Sequence, residues 1–160
     1  MTSVSIRPAS RADAEVLATI QERASVAALA HIYPPERYPF PAWAVRERWQ
    51  TFEGRVWLAA AGPEPVGLVG IAPPWLEGLY VDPEAWGSGA AGALHDHAVE
   101  ALRAAGITMA RLWVLEHNQR ARRFYERRGW RPDGSTRIVP FPPHPTDVGY
   151  ALPLGSEVVR

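Results

Sequence analysis

The chain has 160 residues, of which 47% are apolar and 21% charged, as expected of one globular domain with a buried core. Seventeen basic residues balance seventeen acidic ones, and this zero net charge does not favour nucleic acid, a membrane surface or a polyanion as partner. With no cysteine, the chain excludes disulfides, thiolate metal sites and an acyl-cysteine intermediate, and its five histidines show no i, i+4 pair typical of a zinc site. It shows neither a signal peptide's apolar core nor a membrane-spanning stretch, so we expect a soluble, cytoplasmic, metal-free protein.

The first half of the chain predicts three strands and two helices. Apolar patterns and capping signals indicate a strand at Val4–Arg7, a helix from Ser10 to about Ala30, a helix at Ala42–Phe52, and a hairpin of Arg55–Ala61 with Val66–Ala72. The segment His31–Pro41 carries four prolines, which a helix interior does not tolerate, so we expect a loop there. Trp43 and Trp49 should pack their helix on the sheet.

The second half predicts four strands and two helices. In chain order these are a strand at Trp75–Val81, a helix at Gly89–Ala105, a strand at Met109–Leu115, a helix at Gln119–Arg128, and strands near Arg131–Ile138 and Val148–Leu154. The strand–helix–strand unit from Leu76 to Leu115 should be a right-handed parallel crossover, and the other strands antiparallel neighbours. We therefore expect a single α/β domain over residues 1–160, with a mixed, twisted sheet of six to seven strands and helices on both faces.

A Gly-rich turn separates the fourth strand from the third helix. Its sequence, Gly87-Ser88-Gly89-Ala90-Ala91-Gly92, satisfies the G-x-G-x-x-G fingerprint of dinucleotide-binding proteins. In that fingerprint the first glycine follows the strand at once, whereas here Asp82–Trp86 intervene. A nicotinamide or flavin site is therefore the lesser alternative. Small side chains at a helix N-terminus favour pyrophosphate in either case, because backbone N–H groups can converge on its oxygens.

Two segments, LEGLYVDPEAWGSGAAGAL (Leu76–Leu94) and LWVLEHNQRARRFYERRGW (Leu112–Trp130), together resemble the GCN5-related N-acetyltransferase (GNAT) family, whose members use acetyl-CoA to acetylate amines. The family's first signature is Q/R-x-x-G-x-G/A, and this chain departs from it by carrying Trp86 at the first position. The change removes one cationic contact, which a neighbouring arginine can replace. The resemblance implies the GNAT fold and a pyrophosphate site at Trp86, Gly87, Ser88, Gly89, Ala90, Ala91 and Gly92.

The family's second signature matches Asn118-x-x-Ala121-x-x-Phe124-Tyr125-x-x-x-Gly129. It implies that Tyr125 is the general acid that protonates the departing CoA thiolate, and that Asn118 hydrogen-bonds the pantetheine. A phenol of pKa about 10 can donate to a thiolate of pKa about 8.5. Outside the signature, Tyr125 would be read as a buried aromatic residue and Asn118 as a helix N-cap.

In the family the fourth strand separates from its parallel neighbour, and the pantetheine arm lies in the gap. Gly78 fits a bulge or a close backbone approach at this point. The resemblance assigns the backbone N–H groups of Leu79, Tyr80 and Val81 to the pantetheine and the thioester carbonyl. Such a donor can lower the barrier by about 3 kcal/mol, because charge builds on the carbonyl oxygen during attack.

The acceptor amine needs a base, since it is mostly protonated at neutral pH. Glu77, on the strand that lines the acceptor side, is the candidate, acting directly or through water, and Glu116 is the runner-up. Each carboxylate could instead serve structure or substrate binding. Of the five arginines on the last helix we assign Arg123 to the 3′-phosphate and the others to solvent.

The acceptor pocket should come from the first half of the chain, around His31–Phe52, with Phe141–Pro145 as the opposite wall. Two roles are open for Tyr33 and Tyr38: a lid over the acceptor amine, or packing of the two helices on the sheet. We expect an N-acetyltransferase that uses acetyl-CoA as co-substrate and no metal, in a ternary complex with a small-molecule or peptide amine; the family also allows a homodimer. The alternatives are a catalytically inactive CoA-binding sensor and a dinucleotide-dependent oxidoreductase. The sequence does not identify the amine.

Overall fold

The computed structural model describes residues 3–155, which form seven strands, four α-helices and two short 3-10 turns. The strands are β1 (Val4–Pro8), β2 (Arg55–Ala61), β3 (Glu64–Ala72), β4 (Trp75–Val81), β5 (Met109–Leu115), β6 (Arg131–Ile138) and β7 (Thr146–Pro153). The helices are α1 (Ala14–Ala28), α2 (Ala42–Thr51), α3 (Ala90–Ala104) and α4 (Gln119–Glu126), and the 3-10 turns lie at Arg11–Asp13 and Pro83–Ala85.

The strands make one mixed sheet in the order β1-β2-β3-β4-β5-β7-β6. Five neighbouring pairs are antiparallel, and only β4 and β5, which α3 connects, are parallel. The predicted mixed sheet with one parallel crossover is confirmed, with seven strands.

Each face of the sheet has its own apolar core, because side chains alternate along a strand. Ala59 and Val69 pack with Leu94 of α3 on one face. Their sequence neighbours Leu58 and Leu68 pack with Leu17 of α1 on the other. Helices therefore lie on both faces of the sheet, as predicted. Helix α3 and the side of α4 that carries Tyr125 pack on one face, and α1 and α2 pack on the other.

The packing prediction for α2 holds for one tryptophan and is wrong for the other. Trp49 is buried, and its indole N–H donates to Gln21 Oε1 at 2.9 Å, which joins α2 to α1. Trp43 is 69% exposed, because its position near the start of α2 points away from the sheet.

The sheet opens between β4 and β5. These two strands pair only at Trp75 and Arg111. Opposite β3, the register steps from Ile71–Leu76 to Gly70–Gly78, so Glu77 is the extra residue of a β-bulge. The irregularity expected at Gly78 thus lies one residue earlier. Beyond it, within residues 3–155, β4 has no paired neighbour on the β5 side, which leaves a gap between the carboxyl-terminal parts of the two strands.

No helix within residues 3–155 combines the length and the apolar character that a membrane crossing requires.

Candidate active site in the gap between β4 and β5

A pocket of about 160 Å³ fills the gap between β4 and β5. Residues from three predicted features line it: the end of β4, the region of the Gly-rich turn, and the second signature. Its walls are Leu79, Tyr80 and Val81 of β4, Trp86 and Ala91 of the turn and α3, Asn118, Arg120, Ala121, Phe124 and Tyr125 around α4, and Ala24, Ser25, Ala28 and Leu29 of α1 and the residue after it. The contribution of α1 was not predicted.

The Gly-rich turn forms a concave array of N–H groups at the start of α3. Gly87 and Gly89 have φ values of +85° and +90°, a left-handed backbone that side chains disfavour. Within residues 3–155 the N–H groups of Gly87, Gly89, Ala91 and Gly92 donate no hydrogen bond to protein. Unpaired donors in this conformation, beside a helix N-terminus, are suited to bind an anion such as pyrophosphate.

Two arginines reach this turn, and the sequence did not identify which arginines would do so. The Arg120 guanidinium lies 3.4 Å from the centre of the Trp86 ring, whose indole N–H donates to Val81 O at 2.9 Å. Burial lowers the pKa of Arg120, as expected for a partly desolvated cation. Arg128 packs against the backbone of Gly92. The only sequence signal was the crowding of arginines on α4, which does not say which of them turn inward.

Arg123, the residue predicted for the 3′-phosphate, lies elsewhere. It lines a surface depression on the outer side of α4, together with Glu126, Arg127, Arg131 and Pro132. The structure therefore does not bring Arg123 to the pocket between β4 and β5.

Tyr125 presents a buried phenol to the pocket. Its residue is 8% exposed, and within residues 3–155 its hydroxyl makes no hydrogen bond. Burial raises the pKa of Tyr125, and the Tyr80 phenol adds to the rise. The group is consequently a neutral proton donor across the physiological range and not a base. Asn118 Oδ1 accepts from the Ala121 N–H at 3.2 Å and so begins α4, as predicted for an N-cap.

A cluster of aromatic side chains packs against the Tyr125 ring. The rings of Phe124 and Trp130 lie 5.3 and 5.8 Å from the Tyr125 ring, edge to face. The buried His95 of α3 accepts from the Trp130 indole N–H through Nε2 at 3.0 Å, which leaves Nδ1 to donate to Asp96 Oδ1 at 2.9 Å. Burial lowers the pKa of His95, against the opposing effect of Asp96, so the imidazole is neutral. Helical periodicity placed α3 on the sheet but did not identify this histidine.

The two candidate bases lie outside the walls of this pocket. Glu77 projects from the bulge toward α2, where its Oε2 lies 3.5 Å from Arg48 Nη2. Glu116 follows β5 and pairs with His117 at 3.3 Å. Burial raises the pKa of Tyr80, and Arg48 opposes this rise. Tyr80 lines the pocket together with Tyr125 and follows Glu77 by three residues on β4.

Two polar contacts join α1 and the loop after it to the segments that follow β4 and β5. Arg23 Nε donates to Asp82 Oδ2 at 2.6 Å, which ties α1 to the residue after β4 and lowers the pKa of that carboxyl. His31 Nε2 donates to the His117 carbonyl at 2.8 Å, which joins the loop after α1 to the segment after β5.

Comparison with known proteins agrees with this geometry. The model of the acetyltransferase (GNAT) family matches residues 23–130, more than half of the chain. Mycothiol acetyltransferase of Beutenbergia cavernae is 46% identical over 54 residues, which are 34% of this chain and 18% of that protein. The chain thus spans under a fifth of the length of this curated relative.

Two solved structures share the fold. A GCN5-related N-acetyltransferase from Rhodopseudomonas palustris superposes with a TM-score of 0.82 at 20% identity, covering 96% of this chain and 97% of that one. The PaiA N-acetyltransferase of Thermoplasma acidophilum, solved in complex with coenzyme A, has a TM-score of 0.73 at 22% identity, with coverage of 94% and 99%.

Proposed function

The chain belongs to the GNAT family of acyl-CoA-dependent acetyltransferases, and we propose that it acetylates an amine by direct attack within a ternary complex. One observation carries the proposal: a single pocket is lined by Ala91 of the Gly-rich turn and by the buried Tyr125, and within residues 3–155 neither the Ala91 N–H nor the Tyr125 hydroxyl makes a hydrogen bond. Direct attack also suits a chain without cysteine, which has no thiol to carry an acyl group.

The Gly-rich turn fits the pyrophosphate of CoA. Its four unpaired N–H groups and the N-terminal dipole of α3 supply partial positive charge. Arg120 and Arg128 add full charge beside them and offset the cation lost where Trp86 replaces the family's Arg or Gln. The alternative, a nicotinamide or flavin site, would require neither the gap in the sheet nor the tyrosine.

The free edge of β4 fits the acyl end of the co-substrate. Acetyl-CoA supplies an activated acetyl group, and Leu79, Tyr80 and Val81 line the pocket where β4 has lost its β5 partner. Alternate N–H groups of this segment point into the gap. A fixed donor that meets charge on the carbonyl oxygen is worth about 3 kcal/mol of barrier.

Tyr125 fits the role of general acid at the sulfur. Burial holds its proton, and the same apolar surroundings disfavour a thiolate, which raises the proton affinity of the leaving group as well. Because both proton affinities rise together inside the pocket, the Tyr125 phenol can still donate its proton to the CoA thiolate. Glu77, on the other side of Tyr80, takes the proton of the amine directly or through water, with Glu116 as the runner-up.

A screen of CoA thiol release across a broad amine panel tests the proposed function. The wild type should release thiol only when a suitable amine is present, and Tyr125→Phe should lower kcat by about 10²–10⁴-fold. Acetyl-CoA should still raise the unfolding temperature of the variant, because the turn is unchanged. Binding without release against any amine would instead identify a CoA sensor, and stabilisation by NAD or FAD but not CoA would identify a dinucleotide enzyme.

A further inference from the structure

The face of β5 and β7 that is turned away from Tyr125 carries polar and aromatic side chains beside the gap. Leu112, Val114 and Tyr150 pack into the core with α3, so strand alternation sends Trp113 and Asp147 to the opposite face. The described helices of that face, α1 and α2, pack over β2, β3 and β4 and leave this region open.

Asp147 is an unusual side chain for an open face, because its residue is only 7% exposed. Its Oδ2 accepts from Arg137 Nε at 2.9 Å, whereas Oδ1 accepts no hydrogen bond from any residue between 3 and 155. No side-chain oxygen in that range is both unpaired and fully buried, so Oδ1 keeps some exposure to solvent. A carboxylate oxygen this poorly hydrated favours a cationic donor from a ligand.

Asp147 lies at the carboxyl end of β5, because it pairs with Leu115, the last residue of that strand. The charge of Asp147 raises the pKa of Tyr33, in the loop after α1, and that of Tyr80, on β4. Burial raises both pKa values more strongly than this charge does. The loop that carries Tyr33 is joined to the segment after β5, because His31 Nε2 donates to the His117 carbonyl at 2.8 Å. Tyr80 and Tyr125 both line the pocket, so this end of the sheet adjoins the acyl end of the pocket.

An aromatic platform begins beside Asp147. The Trp75 and Trp113 rings are nearly parallel, at 11°, with centres 6.0 Å apart, and both are partly exposed. Trp113 lies two residue pairs along from Asp147 and so on the same face, because it pairs with Gly149 while Asp147 pairs with Leu115. Arg137 connects the two by pairing with Asp147 and lying 4.5 Å from the centre of the Trp113 ring.

We propose that Asp147 Oδ1 binds the ammonium group of the acceptor and that the Trp75–Trp113 platform receives its body. The acceptor class is then a cationic primary amine on an aromatic body, for which 2-phenylethylamine is the simplest probe. A carboxylate flanked by aromatic rings is the usual chemistry for recognising an ammonium ion. The inference rests on the proposed function, since it identifies the substrate class of that site.

Asp147→Asn tests the ammonium contact, because the amide keeps the shape and can still accept from Arg137. We expect KM for 2-phenylethylamine to rise on the order of 10–100-fold, with kcat changed by less than about threefold. The acetyl-CoA dissociation constant should not change. The matched control is Asp13→Asn, which also removes a carboxylate paired with an arginine (Arg7, at 3.2 Å), but in the 3-10 turn after β1, the strand at the edge of the sheet.

Arg137→Met separates substrate binding from a merely structural ion pair. If Asp147 serves only to anchor Arg137, both variants will raise KM equally, and the inference is overturned. If Asp147 binds the amine, Arg137→Met will leave KM unchanged or lower it. Trp75→Ala should raise KM for 2-phenylethylamine at least fivefold more than for n-butylamine, and an equal effect on both amines would contradict the platform.

A wild-type measurement covers the case in which Asp147→Asn does not fold. N,N-dimethyl-2-phenylethylamine is charged and cannot yield a stable amide, whereas 2-phenylethanol is neutral. The charged compound should inhibit competitively against the amine at least tenfold more strongly, and equal inhibition would overturn the inference. If the wild type binds acetyl-CoA but acetylates no amine in the panel, the proposed function itself fails and this inference falls with it.

Discussion

Trp86 stands where the family signature has arginine or glutamine, and its ring carries the Arg120 guanidinium at 3.4 Å. The tryptophan therefore positions a cation from α4 over the pocket instead of supplying one from the turn. Arg120→Ala should weaken acetyl-CoA binding about tenfold, as expected for one charge-assisted contact. Isothermal titration at two salt concentrations measures this, and the wild type should lose more affinity in high salt than the variant.

Arg123→Ala is the matched control for Arg120→Ala, because Arg123 lies on the same helix but lines the outer depression. It should leave the acetyl-CoA dissociation constant unchanged. A weaker affinity for Arg123→Ala together with a normal one for Arg120→Ala would reverse the assignment and restore Arg123 to the cofactor.

Glu77 is expected to accept the proton of the amine from the bulge of β4. Glu77→Gln should lower kcat/KM by about 10²–10⁴-fold and remove the acidic limb of its pH profile. Arg48→Met is the control, since it removes the partner at 3.5 Å and keeps the carboxylate. An unchanged profile with full activity in Glu77→Gln would exclude this residue as the base and leave Glu116 or water.

His95 links the stability of the aromatic cluster to pH. Burial lowers its pKa from 6.5, so the folded protein keeps the imidazole neutral to lower pH than the unfolded chain does. The contribution of His95 is thus complete above about pH 6.5 and is lost as pH falls through the lowered pKa, because the unfolded state binds the proton first.

The difference between pH 7.5 and pH 5 should appear in urea unfolding. The free energy of unfolding of the wild type should fall more steeply over this range than that of His95→Gln, whose amide does not titrate. His144→Gln, on an exposed residue, is the control. Equal slopes for the wild type and His95→Gln would show that His95 does not hold an altered pKa.

At the scale of elements, the turn between β4 and α3 depends on backbone shape more than on side chains. Gly89 has φ +90°, and a Cβ there would meet no atom within 4 Å, so an added methyl group acts through strain alone. Gly89→Ala should cost about 1–2 kcal/mol of stability. It should also weaken acetyl-CoA binding, because relief of that strain turns N–H groups away from the pyrophosphate.

Gly62→Ala is the control for Gly89→Ala, because Gly62 has φ +81°, equal free space and a place in the β2–β3 turn. Both variants should lose similar stability by thermal unfolding, and only Gly89→Ala should lose affinity for acetyl-CoA. If the two bind acetyl-CoA equally well, the turn is not the pyrophosphate site.

The elements that sequence patterns predict best are those bounded by strong breakers. The strands Trp75–Val81 and Met109–Leu115 have their predicted ends, since Pro74 precedes one and Gly106 lies shortly before the other. Ends without such residues differ from their predicted positions. Helix α4 ends at Glu126 and not at Arg128, because the chain turns toward Gly129. Strand β3 begins at Glu64 and not at Val66, because it pairs with β2 through part of the predicted turn. Local preference gives way there to contacts with neighbouring strands.

At the scale of the whole molecule, the two sequence signatures predict where the gap lies. They do not predict which side chains long-range packing brings to it. The positions of Tyr125 and the Gly-rich turn follow from residues close together in the sequence. The pairs Arg120–Trp86, His95–Trp130 and Asp147–Arg137 join different elements, so no periodicity or spacing predicts them. The proposed acceptor face is the extreme case, because β4, β7 and the loop after α1 all contribute to it.

A crystal structure of the protein with acetyl-CoA tests the central claim most directly. We predict that the diphosphate will contact the backbone nitrogens between Gly87 and Gly92, and that the Tyr125 hydroxyl will lie within hydrogen-bond distance of the sulfur. A thioester bound outside the space between β4 and β5, or a phenol turned away from the sulfur, would contradict the account.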